Sequence, residues 1–187
     1  MIISRMVRNN LYKKHPLHEI IESCNKCIFI NKPPCIYRIY EKFLPREVKT
    51  LVISESPPPG PKKSYIYNLN YTDRLRRVLA KAFNTTQNKV INLLLENNIF
   101  WTTAIKCRPP TFKHLEVMRR NCLEILRIEI DILKPRKIIA LGKRVTWKSV
   151  DQLNIKGVKV VKEYHPLHIV RFRREKLPLL KKIILDP

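Results

Sequence analysis

The sequence predicts an α/β protein of three layers, in which a central, mostly parallel four-stranded sheet is flanked by helices. Short runs of β-branched and apolar residues alternate along the chain with longer segments whose apolar residues recur every three or four positions. Parallel neighbours need a crossover connection, usually a helix, so this alternation favours a parallel sheet. The chain of 187 residues is 44% hydrophobic, which suffices for one core, and we expect a single domain over residues 1–187.

Four runs have the composition of buried strands, and three segments have the periodicity of helices that bury one face. The strands are Thr50 to Ser54, Phe100 to Ile105, Lys137 to Leu141 and Val158 to Val161. The helices are Asp73 to Phe83, Thr86 to Asn97 and His114 to Leu133. Residues 1–45 are predicted to form a basic, partly helical N-terminal cap, and the basic segment Ile169 to Leu185 is predicted to be helical after Pro178.

The chain carries a large excess of positive charge, because 38 Lys and Arg face 15 Asp and Glu, for a formal charge of +23. Basic side chains gain free energy by releasing counterions condensed on a polyanion, so this charge favours a nucleic acid over an anionic membrane. A thermophile surface would mix both signs more evenly. No apolar run approaches the ~20 residues that span a bilayer, and Met1 to Lys14 lacks a secretory core, so we expect a cytoplasmic protein with no membrane partner.

Only three glycines occur, Gly60, Gly142 and Gly157. Neither a GxxxxGK[ST] phosphate loop nor a GxGxxG fingerprint can be written with them. The sequence therefore excludes these two classes of nucleotide-binding site.

The residues that follow the predicted strands are chemically distinctive. Ligands of open parallel sheets bind beyond the carboxyl ends of the strands. Here these ends are followed by Glu55, by Lys106 to Pro110, by Gly142 to Arg144 and by His165. Acidic, thiol, basic and imidazole groups are therefore expected to converge at one edge of the sheet.

Five cysteines occur, and Cys24 and Cys27 form a CxxC pair. Such a pair closes a tight turn that points two thiolates at one metal, and it serves zinc and iron–sulfur sites alike. Buried thiols, or disulfides of the kind found inside hyperthermophiles, account for the same pattern. The other three are Cys35, Cys107 and Cys122.

Several motifs have the order and spacing of one known family. Lys106 to Pro110 reads KCRPP, Leu133 to Gly142 reads LKPRKIIALG, and the last motif is His165-Pro166. Together with the CxxC pair and the acidic residue after the first strand, this order resembles the iron–sulfur uracil-DNA glycosylases, family four of the uracil-DNA glycosylase superfamily. The resemblance runs from about Ile20 to Leu180.

The resemblance implies a [4Fe–4S] cluster held by four thiolates, with zinc in the same thiolates as the alternative. The family's ligands fall on Cys24, Cys27, Cys107 and Cys122, which leaves Cys35 as an extra cysteine. We expect a structural role, in which the cluster holds the N-terminal cap and the helix from His114 against the loop after the second strand.

The resemblance also implies hydrolysis of the bond between base and sugar in DNA, after the base has been flipped out of the stack. In the family, the histidine of the HP motif stabilises the departing base anion, and the acidic residue after the first strand holds water with its neighbours. The catalytic positions implied here are Glu55, Ser56 and His165. The implied substrate-binding positions are Ser54, Pro57, Tyr65, Tyr67, Asn68 and Thr103.

The implied base pocket departs from the family at several positions. Ser54 and Pro58 replace glycines of the first motif. Thr103 stands where an asparagine reads the edge of uracil, and its hydroxyl cannot make the two contacts of an amide. Asn68 stands where an aromatic ring stacks on the base, although two tyrosines lie close to it in sequence. We therefore expect uracil or another deaminated base as the substrate.

Basic residues in three segments are expected to contact DNA phosphates without reading sequence. They are Lys62, Lys63, Lys143, Arg144, Arg171 and Arg173. The predicted function is a DNA-binding base-excision glycosylase. One alternative is a catalytically silent relative that serves as a DNA-binding or complex-forming subunit, and another is a metal-bound RNA-binding module. Protein partners in DNA repair or replication are a further expectation.

Overall fold

The computed structural model describes residues 14–28 and 31–185, and a four-stranded sheet lies at its centre. The strands are β1 (Thr50–Ser54), β2 (Ile99–Thr103), β3 (Lys137–Leu141) and β4 (Lys159–Glu163). They lie in the order β2-β1-β3-β4, and all three neighbouring pairs are parallel. The predicted parallel sheet is confirmed.

The strand bounds differ from the predicted ones at two places. β2 ends at Thr103 because its neighbour β1 ends opposite it, at Ser54. β4 lies slightly later in the chain than predicted, and the prediction that it is buried is wrong. Since β4 is the last strand in the order, it has a neighbour on one side only and remains partly exposed.

Helices connect the strands and precede the sheet. They are α1 (Pro16–Ser23), α2 (Pro33–Ile36), α3 (Ile39–Lys42), α4 (Arg74–Phe83), α5 (Val90–Glu96), α6 (Leu115–Leu133), α7 (Lys148–Leu153), α8 (Pro166–Phe172) and α9 (Leu177–Leu185). The predicted helices are present, except that the second begins as a short 3-10 turn, Gln87–Lys89. In the described part of the chain, no helix combines the length and apolarity that a membrane crossing requires.

The connections place helices against both faces of the sheet. The chain runs from β1 outward to β2, then crosses back over β1 to β3 and on to β4. Right-handed crossovers in opposite directions leave their helices on opposite faces. Accordingly α4 packs on α8 and α9, while α6 packs on α1 and α7. The direction reverses between β1 and β3, which is where open α/β sheets form a binding crevice.

A buried ion pair lies at the end of β2. The Lys106 ammonium contacts the Glu129 carboxylate of α6, and both side chains are almost inaccessible to solvent. Lys106 also donates to the Thr102 hydroxyl at 2.9 Å and to the Thr103 carbonyl at 2.7 Å. Glu129 accepts a hydrogen bond of 2.8 Å from the Tyr40 hydroxyl. The pair therefore joins the carboxyl end of β2 to α6 and α3.

Candidate active site

A cavity of about 480 Å³ opens at the carboxyl ends of the strands. Most of the predicted catalytic and substrate-binding residues line it, namely Ser54, Glu55, Ser56, Pro57, Tyr65, Thr103 and His165. A more open cavity of about 700 Å³ lies between the end of α6 and the segment before β4, and none of the predicted residues line it. The chemistry of the strand ends is therefore concentrated in the smaller cavity.

The proline loop after β1 is held rigidly against the KCRPP segment after β2. The Arg108 guanidinium, only 6% exposed, donates to the Pro58 carbonyl at 2.5 Å. The backbone N–H of Gly60 donates to the Pro109 carbonyl at 3.0 Å. Gly60 has a φ of +77°, a left-handed conformation that glycine adopts without strain. The proline loop after β1 and the KCRPP segment after β2 are thus joined to each other by hydrogen bonds.

Glu55 sits against Gly142 at the reversal point between β1 and β3. A Cβ at Gly142 would lie 2.7 Å from the Glu55 Cγ, so only glycine leaves room for this carboxylate. Burial raises the pKa of Glu55 above its usual 4.5. The Arg144 guanidinium, 3.7 Å away, and backbone N–H groups of Arg144 and Val145 oppose that rise. Glu55 is therefore a partly buried carboxylate with more affinity for a proton than usual.

His165 begins α8, and its ring has a defined tautomer when neutral. The Nδ1 atom accepts the backbone N–H of Leu167 at 3.2 Å, so the proton of the neutral ring lies on Nε2. The pKa of His165 is lowered from 6.5 to about 4, mainly by burial, with Asp73 opposing the shift and the neighbouring His168 adding to it. His165 is therefore a neutral Nε2–H donor at pH 7.

The lowered pKa of His165 also makes stability depend on pH. The unfolded chain binds a proton near pH 6.5, whereas the folded chain does so only near pH 4. The contribution of His165 to the free energy of unfolding is therefore fully present above pH 6.5, and it is lost progressively as the pH falls from 6.5 to about 4.

The sequence HPLH at the start of α8 occurs a second time, at the start of α1. His15 caps α1 as His165 caps α8, because its Nδ1 accepts the Leu17 N–H at 3.2 Å. His15 instead packs on the Tyr40 ring, with centroids 5.6 Å apart, and it does not line the cavity. The cap is therefore a local property of the HPLH sequence, and His165 differs from His15 in that it lines the cavity.

Three of the hydroxyl groups that line the cavity donate their hydrogen to a backbone carbonyl. Thr103 donates to Ile105 at 2.7 Å and Ser56 to Pro57 at 3.0 Å. Ser54 donates to Thr102 at 3.2 Å and accepts the indole N–H of Trp101 at 3.1 Å. The oxygens of Thr103 and Ser56 are left to accept hydrogen bonds.

The three residues proposed near the base ring have different surroundings. Tyr65 lines the cavity and stacks on Tyr37 behind it, with ring centroids 5.4 Å apart. Tyr67 and Asn68 do not line it. The Tyr67 hydroxyl donates to the Trp101 carbonyl at 2.8 Å and accepts the Trp101 N–H at 3.1 Å, which completes the outer edge of β2. The Asn68 amide donates to the Lys63 carbonyl at 2.8 Å and so closes its own loop.

Phe112 also lines the cavity, and sequence reasoning missed it. Its ring is 60% exposed and lies just after the KCRPP segment. The Arg144 guanidinium lies 5.0 Å from the ring centroid, so Arg144 contacts both Phe112 and Glu55. An exposed ring two residues after a cavity-forming motif is the signal that could have identified it.

The cations that were predicted to contact DNA lie at different distances from the cavity. Lys62 lines the cavity, whereas Lys63 and Lys143 are exposed beside lining loops. Arg171 and Arg173 lie at the end of α8, where they contact aromatic rings rather than the cavity.

The cysteines implied as ligands come from three parts of the chain. Cys24 and Cys27 follow α1, Cys107 follows β2, and Cys122 lies on α6. Burial raises the pKa of Cys107 to about 12, and repulsion from the thiols of Cys122, Cys27 and Cys24 contributes. All five cysteines are free thiols. Over residues 14–28 and 31–185, no three Cys, His, Asp or Glu side chains converge closely enough to hold a metal ion.

The chain is similar to several uracil-DNA glycosylases. Residues 41–186 match the family model described as the uracil DNA glycosylase superfamily. A type-4 uracil-DNA glycosylase from Pyrobaculum aerophilum is 33% identical over 131 residues, which cover 67% of this chain and 59% of that protein. A type-5 enzyme from the same organism is 30% identical over 82 residues, which cover 36% of each chain. The chain thus spans about three fifths and about a third of these two relatives.

Two solved structures are also similar, the wild-type UNG of Nitratifractor salsuginis and a point mutant of it. Each is 15% identical to this chain. The wild type has a TM-score of 0.41 and covers 74% of this chain, and the mutant has a TM-score of 0.42 and covers 73%. Both matches cover 73% of the solved chain.

Replacing Gly142 tests the packing of Glu55. Gly142→Ala should lower the free energy of unfolding more than Gly157→Ala, because both sites have positive φ but Gly157 has no atom within 4 Å of an added Cβ. We expect about 1–2 kcal/mol for Gly157→Ala and about 1–3 kcal/mol beyond that for Gly142→Ala, measured by urea unfolding. In a Glu55→Ala background the excess should fall to the part that comes from backbone strain, because a φ of +113° at Gly142 suits alanine less well than the +72° at Gly157. An excess of the same size without the Glu55 side chain would contradict this packing.

Proposed function

The chain belongs to the uracil-DNA glycosylase superfamily, and on that premise we propose that it hydrolyses the N-glycosidic bond of uracil or another deaminated base in DNA. The observation that carries the proposal is that Glu55 and His165, which follow different strands, line one cavity. Hydrolysis of this bond develops negative charge on the base and positive charge on the sugar. A neutral hydrogen-bond donor stabilises the negative charge on the base, and a carboxylate stabilises the positive charge on the sugar.

His165 stabilises the departing base. When the bond between base and sugar breaks, its electron pair stays on the base, which leaves as an anion. The Nδ1 atom already accepts the Leu167 N–H, so Nε2–H is the group left to donate to a carbonyl oxygen of that anion. Because the pKa of His165 is about 4, the ring donates this hydrogen bond without first having to lose a proton at neutral pH.

Glu55 and Ser56 hold the attacking water. The water oxygen forms the new bond to the sugar C1′ and gives one proton to the Glu55 carboxylate, which leaves an abasic sugar. The raised pKa of Glu55 makes it a stronger base than an exposed glutamate. The Ser56 oxygen, whose hydrogen is donated to Pro57, accepts a hydrogen bond from the same water.

Thr103 favours deaminated bases. Its hydrogen is donated to Ile105, so it presents an acceptor to the cavity. Deamination converts the ring-nitrogen acceptor of cytosine or adenine into an N–H donor in uracil or hypoxanthine. An acceptor-only group pairs with these products and leaves cytosine or adenine unsatisfied, which costs about 1–3 kcal/mol for a buried group.

Aromatic rings and cations hold the extracted nucleotide. Tyr65 and Phe112 line the cavity, and the exposed Phe112 ring offers a surface on which a base can stack, which offsets part of the cost of unstacking the base from DNA. Lys62 and Arg144 lie at the cavity, where they neutralise phosphates beside the target. These contacts support the predicted role in DNA binding.

The four thiols of Cys24, Cys27, Cys107 and Cys122 would hold the [4Fe–4S] cluster of family four. Thiolates are the ligands that such clusters use. Among the described residues the four side chains do not converge closely enough to hold a metal ion, so they would have to draw together to hold the cluster. Asn121 supports the CxxC turn by donating to the Lys26 carbonyl at 2.8 Å and to the Cys27 sulfur at 3.5 Å. The cluster would serve as a structural crosslink between α6 and the segment after α1.

His165→Ser tests the proposed chemistry, and His15→Ser is its matched control. Serine keeps the helix cap but removes the imidazole, so both variants should fold. Incubation with oligonucleotides containing uracil, hypoxanthine or xanthine, followed by alkali, measures abasic sites. We expect His165→Ser to lower the rate by about 10²–10³-fold, the loss of one donor to a developing anion.

The control should keep the wild-type rate, since His15 lies outside the cavity. Equal losses in the two variants would contradict the role of His165. DNA binding with no abasic product from any of the three bases would instead identify the catalytically silent subunit.

The cysteine site predicts a brown protein when it is purified without oxygen. Cys107→Ser should lose the visible absorbance and the bound iron, whereas Cys35→Ser should keep both, because Cys35 lies apart and contacts the His18 carbonyl. Absorption spectra and iron analysis measure this, with about four irons per chain expected. A colourless wild type that holds zinc would contradict the cluster.

A further inference from the structure

An aromatic ladder, formed by Trp147, Tyr164, His168 and Phe172, runs outward along α8. Successive ring centroids are 5.6, 5.0 and 4.9 Å apart. The last three residues are spaced four apart, which places them along one side of α8 and of the turn before it. At the inner end, the indole N–H of Trp147 lies 2.9 Å from the Ala140 carbonyl and fixes the ladder to β3.

Cations surround the aromatic ladder. The Arg173 guanidinium lies 4.6 Å from the Tyr164 centroid, and the Arg171 guanidinium lies 5.1 Å from the Phe172 centroid. The segment 171–176 reads RFRREK, so four cations accompany one carboxylate. Glu163 is the other carboxylate at the ladder, and it lies 4.0 Å from Lys176. The charge around the rings therefore suits a phosphate chain.

The outermost ring, Phe172, offers a free face to a ligand. It is 63% exposed, although His168 and Arg171 pack against it. A wedge that enters a duplex needs both faces of its ring for the two base pairs it separates. Phe172 can take only one base, and that base must have an unstacked face of its own. An unpaired base in a single strand meets this requirement.

We propose that the aromatic ladder binds an unpaired DNA base beside the target nucleotide, so that the protein takes single-stranded DNA in preference to duplex DNA. α8 begins directly after His165, which lines the base cavity, so the inner end of the ladder at Tyr164 lies next to that cavity and Phe172 stands at the far end of α8. The inference rests on the proposed function for the identity of the ligand as DNA and for the position of the target.

Binding of undamaged DNA by Phe172 variants tests this inference. Fluorescence anisotropy compares a labelled oligothymidylate with a labelled duplex. Phe172→Leu keeps an apolar side chain but loses the ring, and should weaken binding of the single strand by about 5- to 150-fold, the range for one base stacked on one ring. Phe172→Trp should restore it. Duplex binding should stay within about twofold in both variants.

The salt dependence of DNA binding distinguishes the contribution of the Phe172 ring from that of the surrounding cations. Phe172→Leu should leave the slope of log affinity against log salt unchanged, whereas Arg173→Ala should reduce it by about one phosphate contact. The inference is overturned if Phe172→Leu binds the single strand normally, if it loses both DNA forms equally, or if Phe172→Trp fails as the leucine variant does.

The assay uses undamaged DNA, so its outcome is separate from that of the proposed function. Ring-dependent binding of the single strand without any abasic product would refute the glycosylase activity and leave the ladder in place. Excision of a base together with single-strand binding that does not depend on the Phe172 ring would refute the role of the ladder and leave the glycosylase activity in place.

Discussion

The buried ion pair between Lys106 and Glu129 is the interaction on which the rest of the structure depends. Both charges are removed from water, so each is tolerated only because the other is present. Lys106 fixes the Thr103 carbonyl at the cavity, and the next residue is Cys107. Glu129 lies on α6, the helix that carries Cys122. The base cavity and the cysteine region are thus built on the two partners of one ion pair.

The scarcity of glycine gives a second constraint. Parallel pairing of β1 with β3 brings the loops that follow them side by side, and the carboxylate of Glu55 then occupies the space that a side chain at Gly142 would fill. The loop after β1 is rich in proline, and Arg108 holds it by a hydrogen bond to the Pro58 carbonyl, which opposes a shift of the loop away from Gly142. The close packing against Gly142 therefore fixes the position of Glu55, whereas the cap at the start of α8 fixes the position of His165.

Local patterns predicted much of this, and the limits of prediction have physical causes. Runs of β-branched residues predicted β1 and β3 with their observed bounds. The strand ends predicted that Glu55 and His165 lie at one edge of the sheet, and both line one cavity. Counting along the chain could not place Tyr67, because its hydroxyl completes the outer edge of β2, a contact between distant segments. The partner of Lys106 was missed for the same reason, since Glu129 lies 23 positions away in sequence. Pairings of this kind depend on the three-dimensional packing rather than on local spacing.

A double-mutant cycle on Lys106→Met and Glu129→Leu tests most directly whether one ion pair supports both the cavity and the cysteine region. Urea unfolding of the two single variants should show losses of about 3–5 kcal/mol each, because each leaves an unpaired buried charge. The double variant, with neither charge present, should recover most of that free energy. Additive losses in the double variant, or single losses below about 1 kcal/mol, would contradict the account.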